Sequence, residues 1–397
     1  MTAPDQRTDV DVIVVGGGIG GLATALALSL AGRTVRVLER EDEFTEVGAG
    51  LQLAPNATRL FRQWGILDEV LAVCVAPERL VFKDALDGRP LTHLDLAEVA
   101  ERYGAPYVVM HRHDLLTILF DACRRAGVEL VAGTAVEHTE TTDTGAAVHH
   151  ADTTSHAAIV VAADGLTSRL RARFSDDELV PSGYVAYRGA LPITDVAVDD
   201  AMVSNVVVHL GPGRHLVQYA LRRGEIFNTV AVFRSPAFLR GEADWGGPNE
   251  LDGAFVDSCP AVVDGLASLW RDRQWRMHDR EPIANWVDGR VVLAGDAAHP
   301  MLQYLAQGAC QAIEDAACLA DQVASHRCGP SPGSIDWSGA LASYNAIRTV
   351  RTARVQRTAR TWGDIWHVDG VARQLRNELF ADRRPDDFKH VDWLYGS

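Results

Sequence analysis

Residues 12–21, Val-Ile-Val-Val-Gly-Gly-Gly-Ile-Gly-Gly, constrain this chain more than any other segment. A run of β-prone apolar residues leads without a break into Gly16-x-Gly18-x-x-Gly21. A strand that is apolar on both faces belongs inside a parallel sheet. Glycines at its exit let backbone approach a charged group at the N-terminus of the following helix. The Ala/Leu-rich stretch 22–31 supplies that helix, Gly32 ends it, and 34–38 reads as a second apolar strand. Glu39 closes that strand near the spacing at which an acid reaches a ribose hydroxyl. The segment therefore predicts a strand-helix-strand unit that binds a dinucleotide.

Two later segments repeat the design. Residues 158–171 form an apolar strand ending in Asp164-Gly165, with Ser168 at a helix start. Residues 290–300, Arg-Val-Val-Leu-Ala-Gly295-Asp296-Ala-Ala-His299-Pro300, form another strand ending in a small residue and an acid. Each puts a carboxylate at the carboxyl end of a sheet strand, where open α/β folds bind ligands.

These three segments, in this order, resemble the single-component FAD-dependent aromatic hydroxylases, the family of the salicylate and hydroxybenzoate hydroxylases. The resemblance implies an α/β fold: a Rossmann-like FAD-binding domain, a discontinuous α+β substrate domain built on an antiparallel sheet, and a helical C-terminus. It implies non-covalent FAD, with its ADP half on Gly16, Gly18 and Gly21 and its adenosine ribose on Glu39. By the same resemblance Asp164 and Gly165 lie near the pyrophosphate, Gly295 and Asp296 hold the ribityl chain, and Arg112 contacts the cofactor. The loop from Met301 through Gln307 and Gly308 would abut the isoalloxazine ring, where a helix dipole stabilises negative charge on reduced flavin.

Composition narrows the class further. A chain of 397 residues, 47% hydrophobic, can bury a large core and form two closely packed domains. Its formal net charge of −15 argues against a nucleic-acid partner, because phosphate neutralisation needs surplus Lys and Arg. The six cysteines contain no Cys-x-x-Cys, which argues against a zinc site or disulfide framework and for a reducing compartment. No apolar run approaches the ~20 residues of a membrane span, and the first residues lack the apolar centre of a signal peptide. The expectation is a cytoplasmic enzyme with no membrane partner. His299 reads as a structural histidine, and no metal is assigned.

The expected organisation is discontinuous. Residues 1–75, 105–178 and 281–336 form the FAD-binding domain, 76–104 and 179–280 the substrate domain, and 337–397 a C-terminal helical segment. In the substrate domain, 183–193, 205–210, Arg214–Leu221 and 225–233 read as antiparallel strands separated by Gly-Pro-Gly and Arg-Arg-Gly turns. Residues 327–336 read as a Gly/Pro/Ser loop and 337–379 as helices. Arg348, Arg351, Arg354, Arg357 and Arg360 recur every third residue, a stripe expected on a solvated or subunit-facing surface, with Trp362 and Trp366 packing one face. A homodimer is plausible on this reading.

The substrate site is expected where the antiparallel sheet faces the flavin. On a strand of period two, His215 and Tyr219 point to one face with Val217 between them. Gln303, in Met-Leu-Gln, would stand on the opposite wall. This trio resembles the 3-hydroxybenzoate 6-hydroxylase branch, which uses NADH and O2 to make 2,5-dihydroxybenzoate (gentisate) through a flavin C4a-hydroperoxide. His215 would take the phenolic proton, since imidazole titrates near neutrality, while Tyr219 and Gln303 would orient the ring. Arg188, Arg222 and Arg223 are the candidates to meet the substrate carboxylate. The alternatives are a decarboxylating salicylate 1-hydroxylase giving catechol, another hydroxylase of a hydroxylated aromatic acid, a flavin oxidoreductase without oxygen insertion, and, in a different class, a non-catalytic dinucleotide-sensing protein.

Overall fold

The computed structural model describes residues 9–45, 48–151, 153–328 and 334–396. The N-terminal reading and the middle of the 327–336 loop lie outside the described residues.

The fingerprint strand Val10–Val15 sits inside an eight-stranded sheet, between Thr153–Ala162 and Val35–Leu38, parallel to both. Glu129–Val131 continues the parallel set on one side and Val291–Leu293 on the other. All three strands read from the Gly-rich, Asp-Gly and Gly-Asp segments are thus neighbours, and their carboxyl ends open on one edge. Val12, Ile13 and Val14 have no exposed surface, as the unbroken apolar run requires. The helix Ile19–Leu30 is buried along most of its length. It packs between Gly308–Ser325 and Arg112–Arg125, so it carries no polar face. A hairpin of His138–Thr141 and Ala146–His150 extends the sheet antiparallel from Thr153–Ala162.

A second, seven-stranded sheet has the spatial order Trp275–Asp279, Val180–Pro192, Ile226–Arg234, Arg214–Leu221, Asn205–Gly211, Arg79–Asp84, Pro90–Asp95. Neighbours are antiparallel except Asn205–Gly211 with Arg79–Asp84. One face joins the main core through Val217, Tyr219, Val230 and Val232. The other is covered by a separate cluster in which Leu216, Tyr187 and Phe233 meet Trp245, Leu251 and Phe255. Every residue of Arg214–Leu221 is therefore buried, but alternate side chains serve different layers. A small pair, Gly50–Leu53 with Val108–His111, lies against this sheet: Gly50 N donates to Asn228 Oδ1 at 2.9 Å.

The C-terminal helices are Trp337–Trp366 and Gly370–Ala381. Here one expectation is corrected. The arginine run does not form a solvated or subunit-facing stripe. Arg348 is 3% exposed and pairs with Glu314 at 2.6 Å and Asp315 at 2.7 Å. Arg351 reaches Glu314 at 3.0 Å and the carbonyls of Trp393 and Leu394, Arg354 lies 4.0 Å over the Trp393 ring, and Arg360 pairs with Asp279 at 2.6 Å. A three-residue repeat drifts around a helix of 3.6 residues per turn, so successive arginines reach different neighbours. Of the five, Arg354 and Arg357 are exposed. Trp366 is buried, while Trp362 stacks on Phe380. No helix among the described residues is long and apolar enough to cross a membrane.

Candidate active site

A cavity of about 1580 Å³ runs from the carboxyl edge of the parallel sheet to the face of the antiparallel sheet. A drug-sized ligand fills roughly 300–1,000 Å³, so this space accommodates a dinucleotide and a second molecule.

At the sheet edge the backbone does the shaping. Gly16 has φ +107°, and a Cβ there would stand 2.4 Å from the Ala163 carbonyl oxygen. A Cβ on Gly21 would meet the Gly16 oxygen at 1.9 Å, so the helix lies directly on the strand exit. Gly18 differs: a Cβ would touch nothing, because Gly18 faces the cavity. That open cradle at a helix N-terminus fits a pyrophosphate. Glu39 Oε2 accepts from Gly17 N at 2.5 Å and Oε1 from Glu41 N at 3.0 Å, which sets the carboxylate against the Gly-rich turn. Arg112 opens its helix at the cavity wall.

Gly165 also lines the cavity, but the Asp164 carboxylate turns away from it. It accepts from the Ser168 hydroxyl at 2.6 Å and Arg169 N at 3.1 Å, so it caps the following turn. Arg171 leaves that turn, 2% exposed, and donates to the carbonyls of Ala297 and Ala298 at 2.8 and 2.7 Å. It ties the Asp-Gly segment to the Gly-Asp segment, a role with no sequence signal beyond proximity to Ser168. Gly295, φ +59°, and Asp296 line the cavity beside it. Gly295 N donates to Asp315 Oδ2 at 2.8 Å. The same oxygen lies 2.6 Å from His299 Nε2. Burial pushes the Asp315 and Glu314 carboxyls up, but His299 and Arg348 around the first, and Arg348 and Arg351 around the second, outweigh it and hold both below the ordinary range. The Gly295-Asp296 segment thus rests on a buried, charge-compensated network.

Gln307 and Gly308 begin the helix Gly308–Ser325 at the cavity's middle. Gln307 Oε1 accepts from Asn56 at 2.9 Å and Gln311 at 3.0 Å, while its Nε2 is buried with no hydrogen-bond partner among the described residues. An orphaned donor beside a helix N-terminus fits an acceptor-rich, electron-accepting ring.

At the far end, His215, Val217 and Tyr219 line the cavity from one strand, as the two-residue period requires, and Gln303 lines it from the turn Gln303–Leu305. His215 Nδ1 is 2.8 Å from His367 Nε2. The ring of Tyr304 approaches both histidines edge-on at 5.6 and 5.4 Å. Burial, then His367, drives His215 well below its ordinary pKa, and burial with Arg376 and Arg234 takes His367 to about 3. Burial raises Tyr219 far above the usual phenol value against the opposing pull of Arg188 and Arg112. Its ring packs on Gly50, where a Cβ would intrude to 2.6 Å. Gln52, also on the wall, bonds Tyr219 and accepts from Tyr107 at 2.5 Å. Of the three candidate arginines, only Arg188 reaches the cavity, over Trp275 at 5.4 Å. Arg222 is held bidentate by Asp114 at 2.7 and 2.9 Å, and Arg223 belongs to the same surface turn. His367, Tyr304 and Gln52 were not anticipated. His367 and Gln52 come from segments with no motif, whereas Tyr304 lies in the loop read from Met301 to Gly308 without a role of its own.

Comparison with known proteins decides which dinucleotide. Residues 9–359 match the FAD binding domain family. The chain belongs to the FAD-dependent aromatic hydroxylases. It is 36% identical to a 3-hydroxybenzoate 6-hydroxylase of Polaromonas naphthalenivorans, covering 99% of this chain and 97% of that one. It is 35% identical to a 3-amino-4-hydroxybenzoate 2-monooxygenase of Streptomyces cremeus, covering 98% and 95%. Among solved structures, a Klebsiella pneumoniae HpxO variant complexed with FAD superposes with a TM-score of 0.84 at 26% identity over 98% of this chain and 99% of that one. The chain is an FAD-dependent monooxygenase, and the non-catalytic reading falls away.

Proposed function

We propose that this hydroxylase converts 3-hydroxybenzoate to 2,5-dihydroxybenzoate, consuming NADH and O2 and releasing water. The observation that carries the reading is the single strand presenting His215, Val217 and Tyr219 to the cavity opposite Gln303, in a chain whose relatives include enzymes of that name. Bound FAD supplies hydride acceptance from NADH and activation of O2. The protein's residues supply the rest. Arg188, with Arg112 near Tyr219, offers local positive charge to an aromatic carboxylate that the net charge of −15 would otherwise repel. His215 has Nδ1 committed to His367, so Nε2 is the atom that takes the phenolic proton and makes the ring electron-rich. Tyr219 and Gln303 hydrogen-bond the substrate and select the ring carbon para to its hydroxyl. The aromatic and aliphatic wall, Val217, Tyr304 and Trp366, excludes water.

In this reading residues 1–75, 105–178 and 281–336 serve FAD, 76–104 and 179–280 serve the substrate, and 337–397 braces both. We further infer a cytoplasmic homodimer, supported by six free cysteines and by an exposed apolar row, Val371, Leu375 and Leu379, on one helix. The test is aerobic NADH oxidation by the purified yellow protein with 3-hydroxybenzoate, salicylate, 4-hydroxybenzoate and 3-amino-4-hydroxybenzoate, each product identified chromatographically. Gentisate from the first, matched to NADH, supports the proposal. Catechol from salicylate, or a product from 3-amino-4-hydroxybenzoate alone, replaces it.

A further inference from the structure

We propose that His367 is the positioning residue of the site: its Nε2 accepts the Nδ1–H of His215, fixing the one tautomer in which His215 Nε2 presents a lone pair to the substrate. The inference rests on the base assignment just made.

The geometry leaves two arrangements. At 2.8 Å, His215 Nδ1 and His367 Nε2 share a single proton. If it belongs to His215, Nε2 of that ring is bare and basic. If it belongs to His367, His215 accepts at Nδ1, its own proton sits on Nε2, and the ring has nothing with which to abstract a proton. The choice between them is a choice between a base and no base. The surroundings keep the first available. His367 is held by its ring faces and its backbone, while its own Nδ1 is buried with no hydrogen-bond partner among the described residues. It stacks on Tyr184 at 4.6 Å, meets Tyr304 edge-on, and its carbonyl accepts from Gly213 N at 3.0 Å, next to the strand that carries His215.

The groups that bear on its charge are Arg376 and Arg234, with Tyr184, Tyr304 and His215 neutral beside it. Both arginines oppose a second proton on His367. A doubly protonated His367 would have to donate to His215 Nδ1 and would silence the base, so keeping it neutral keeps its Nε2 able to accept. The proton balance is simple. The substrate O–H breaks, His215 Nε2–H forms, and the resulting imidazolium donates a charge-assisted Nδ1–H bond to His367. Among the described residues no carboxylate bonds either ring, so the compensating charge is the substrate's own phenolate and carboxylate. The base therefore strengthens only when an anionic aromatic ligand occupies the cavity.

The experiment compares His367→Leu, His367→Gln and His215→Leu holoenzymes for FAD content, KM for 3-hydroxybenzoate, kcat of gentisate formation and its pH profile. The expected result for His367→Leu is unchanged FAD content and KM within about twofold, with kcat lowered by about 10- to 100-fold, part of the ~10²–10⁴-fold typical of a general base. That deficit should shrink as pH rises and the phenol ionises unaided. His367→Gln, which restores an acceptor near the Nε2 position, should recover most of the rate. A His367→Leu enzyme with wild-type kcat and pH profile overturns the inference, as does equal loss in both His367 variants accompanied by loss of FAD. Normal hydroxylation by His215→Leu instead overturns the base assignment itself. Nitrogen-15 imidazole spectra of the wild-type holoenzyme give a test independent of any variant: the proton on His215 Nδ1 supports the inference, and the proton on Nε2 sinks it.

Discussion

At the Gly-rich end of the cavity the wall is made of backbone and compensated charge; at the end proposed to take the substrate, Arg188 and Arg112 apart, it is made of neutral side chains buried from water. Gly16, Gly18 and Gly21 shape the first by what they lack, and the buried set Asp315, His299, Arg348 and Glu314 holds it with every charge answered. The second contains His215, His367, Tyr219 and Tyr304, all buried and all driven by burial toward their uncharged forms. The difference matches the tasks. A pyrophosphate is permanently charged and is met by fixed dipoles, whereas a phenol must lose a proton during the reaction and needs a neighbour that is neutral beforehand.

The comparison breaks most visibly at Arg348. Arg348→Met strips one partner from each of two buried carboxylates, leaving Glu314 to Arg351 and Asp315 to His299, and costs up to about 3–5 kcal/mol; denaturant unfolding and FAD retention should both show it. His215→Leu should act only at the other end, lowering gentisate formation by about 10²–10⁴-fold with FAD content unchanged, read by product yield against NADH consumed. Tyr219→Phe keeps the ring against Gly50 and removes only the hydroxyl, so stability should hold while about 1 kcal/mol of ground- or transition-state hydrogen bonding is lost, visible as a rise in peroxide relative to product.

Acid separates the ends by window. His367, held at about 3, and His215, held well below its ordinary value by burial, both have folded pKa values below their unfolded value near 6.5. Below ~6.5 the unfolded chain binds protons the folded chain refuses, so stability falls with pH by up to about 1.4 kcal/mol per unit per histidine. The cofactor end follows only at lower pH. Asp315 and Glu314, held below their ordinary range, give up their contribution below ~4. Chemical denaturation between pH 7 and 4 tests this order. The smallest effect should be Arg222→Ala, which removes a partly exposed pair with Asp114 and costs at most about 1 kcal/mol, with KM for the substrate unchanged where Arg188→Ala raises it.

The same contrast explains what could be read in the sequence. A backbone-shaped site writes itself as glycines at fixed spacing after apolar strands, so the parallel sheet, its three strand exits and the alternation of His215, Val217 and Tyr219 were legible. Contacts across long separations were not. His367 meets His215 through the end of a thirty-residue helix, and no local pattern encodes that meeting. The arginine run misled because periodicity reports which residues share a helix face, not what stands opposite; Glu314 and Asp315, on the helix Gly308–Ser325, are what turn Arg348 inward. Asp164 was legible as a strand-end acid, but its use as a turn cap depends on Ser168 and Arg169 closing back on it.

The most direct measurement is the reaction of 3-hydroxybenzoate with NADH and the holoenzyme under ¹⁸O₂, with mass and position of the label determined in the product. The account predicts gentisate carrying a single ¹⁸O on the carbon para to the original hydroxyl, in amounts matching NADH oxidised. Unlabelled product, label elsewhere on the ring, or hydrogen peroxide with no aromatic product would contradict it.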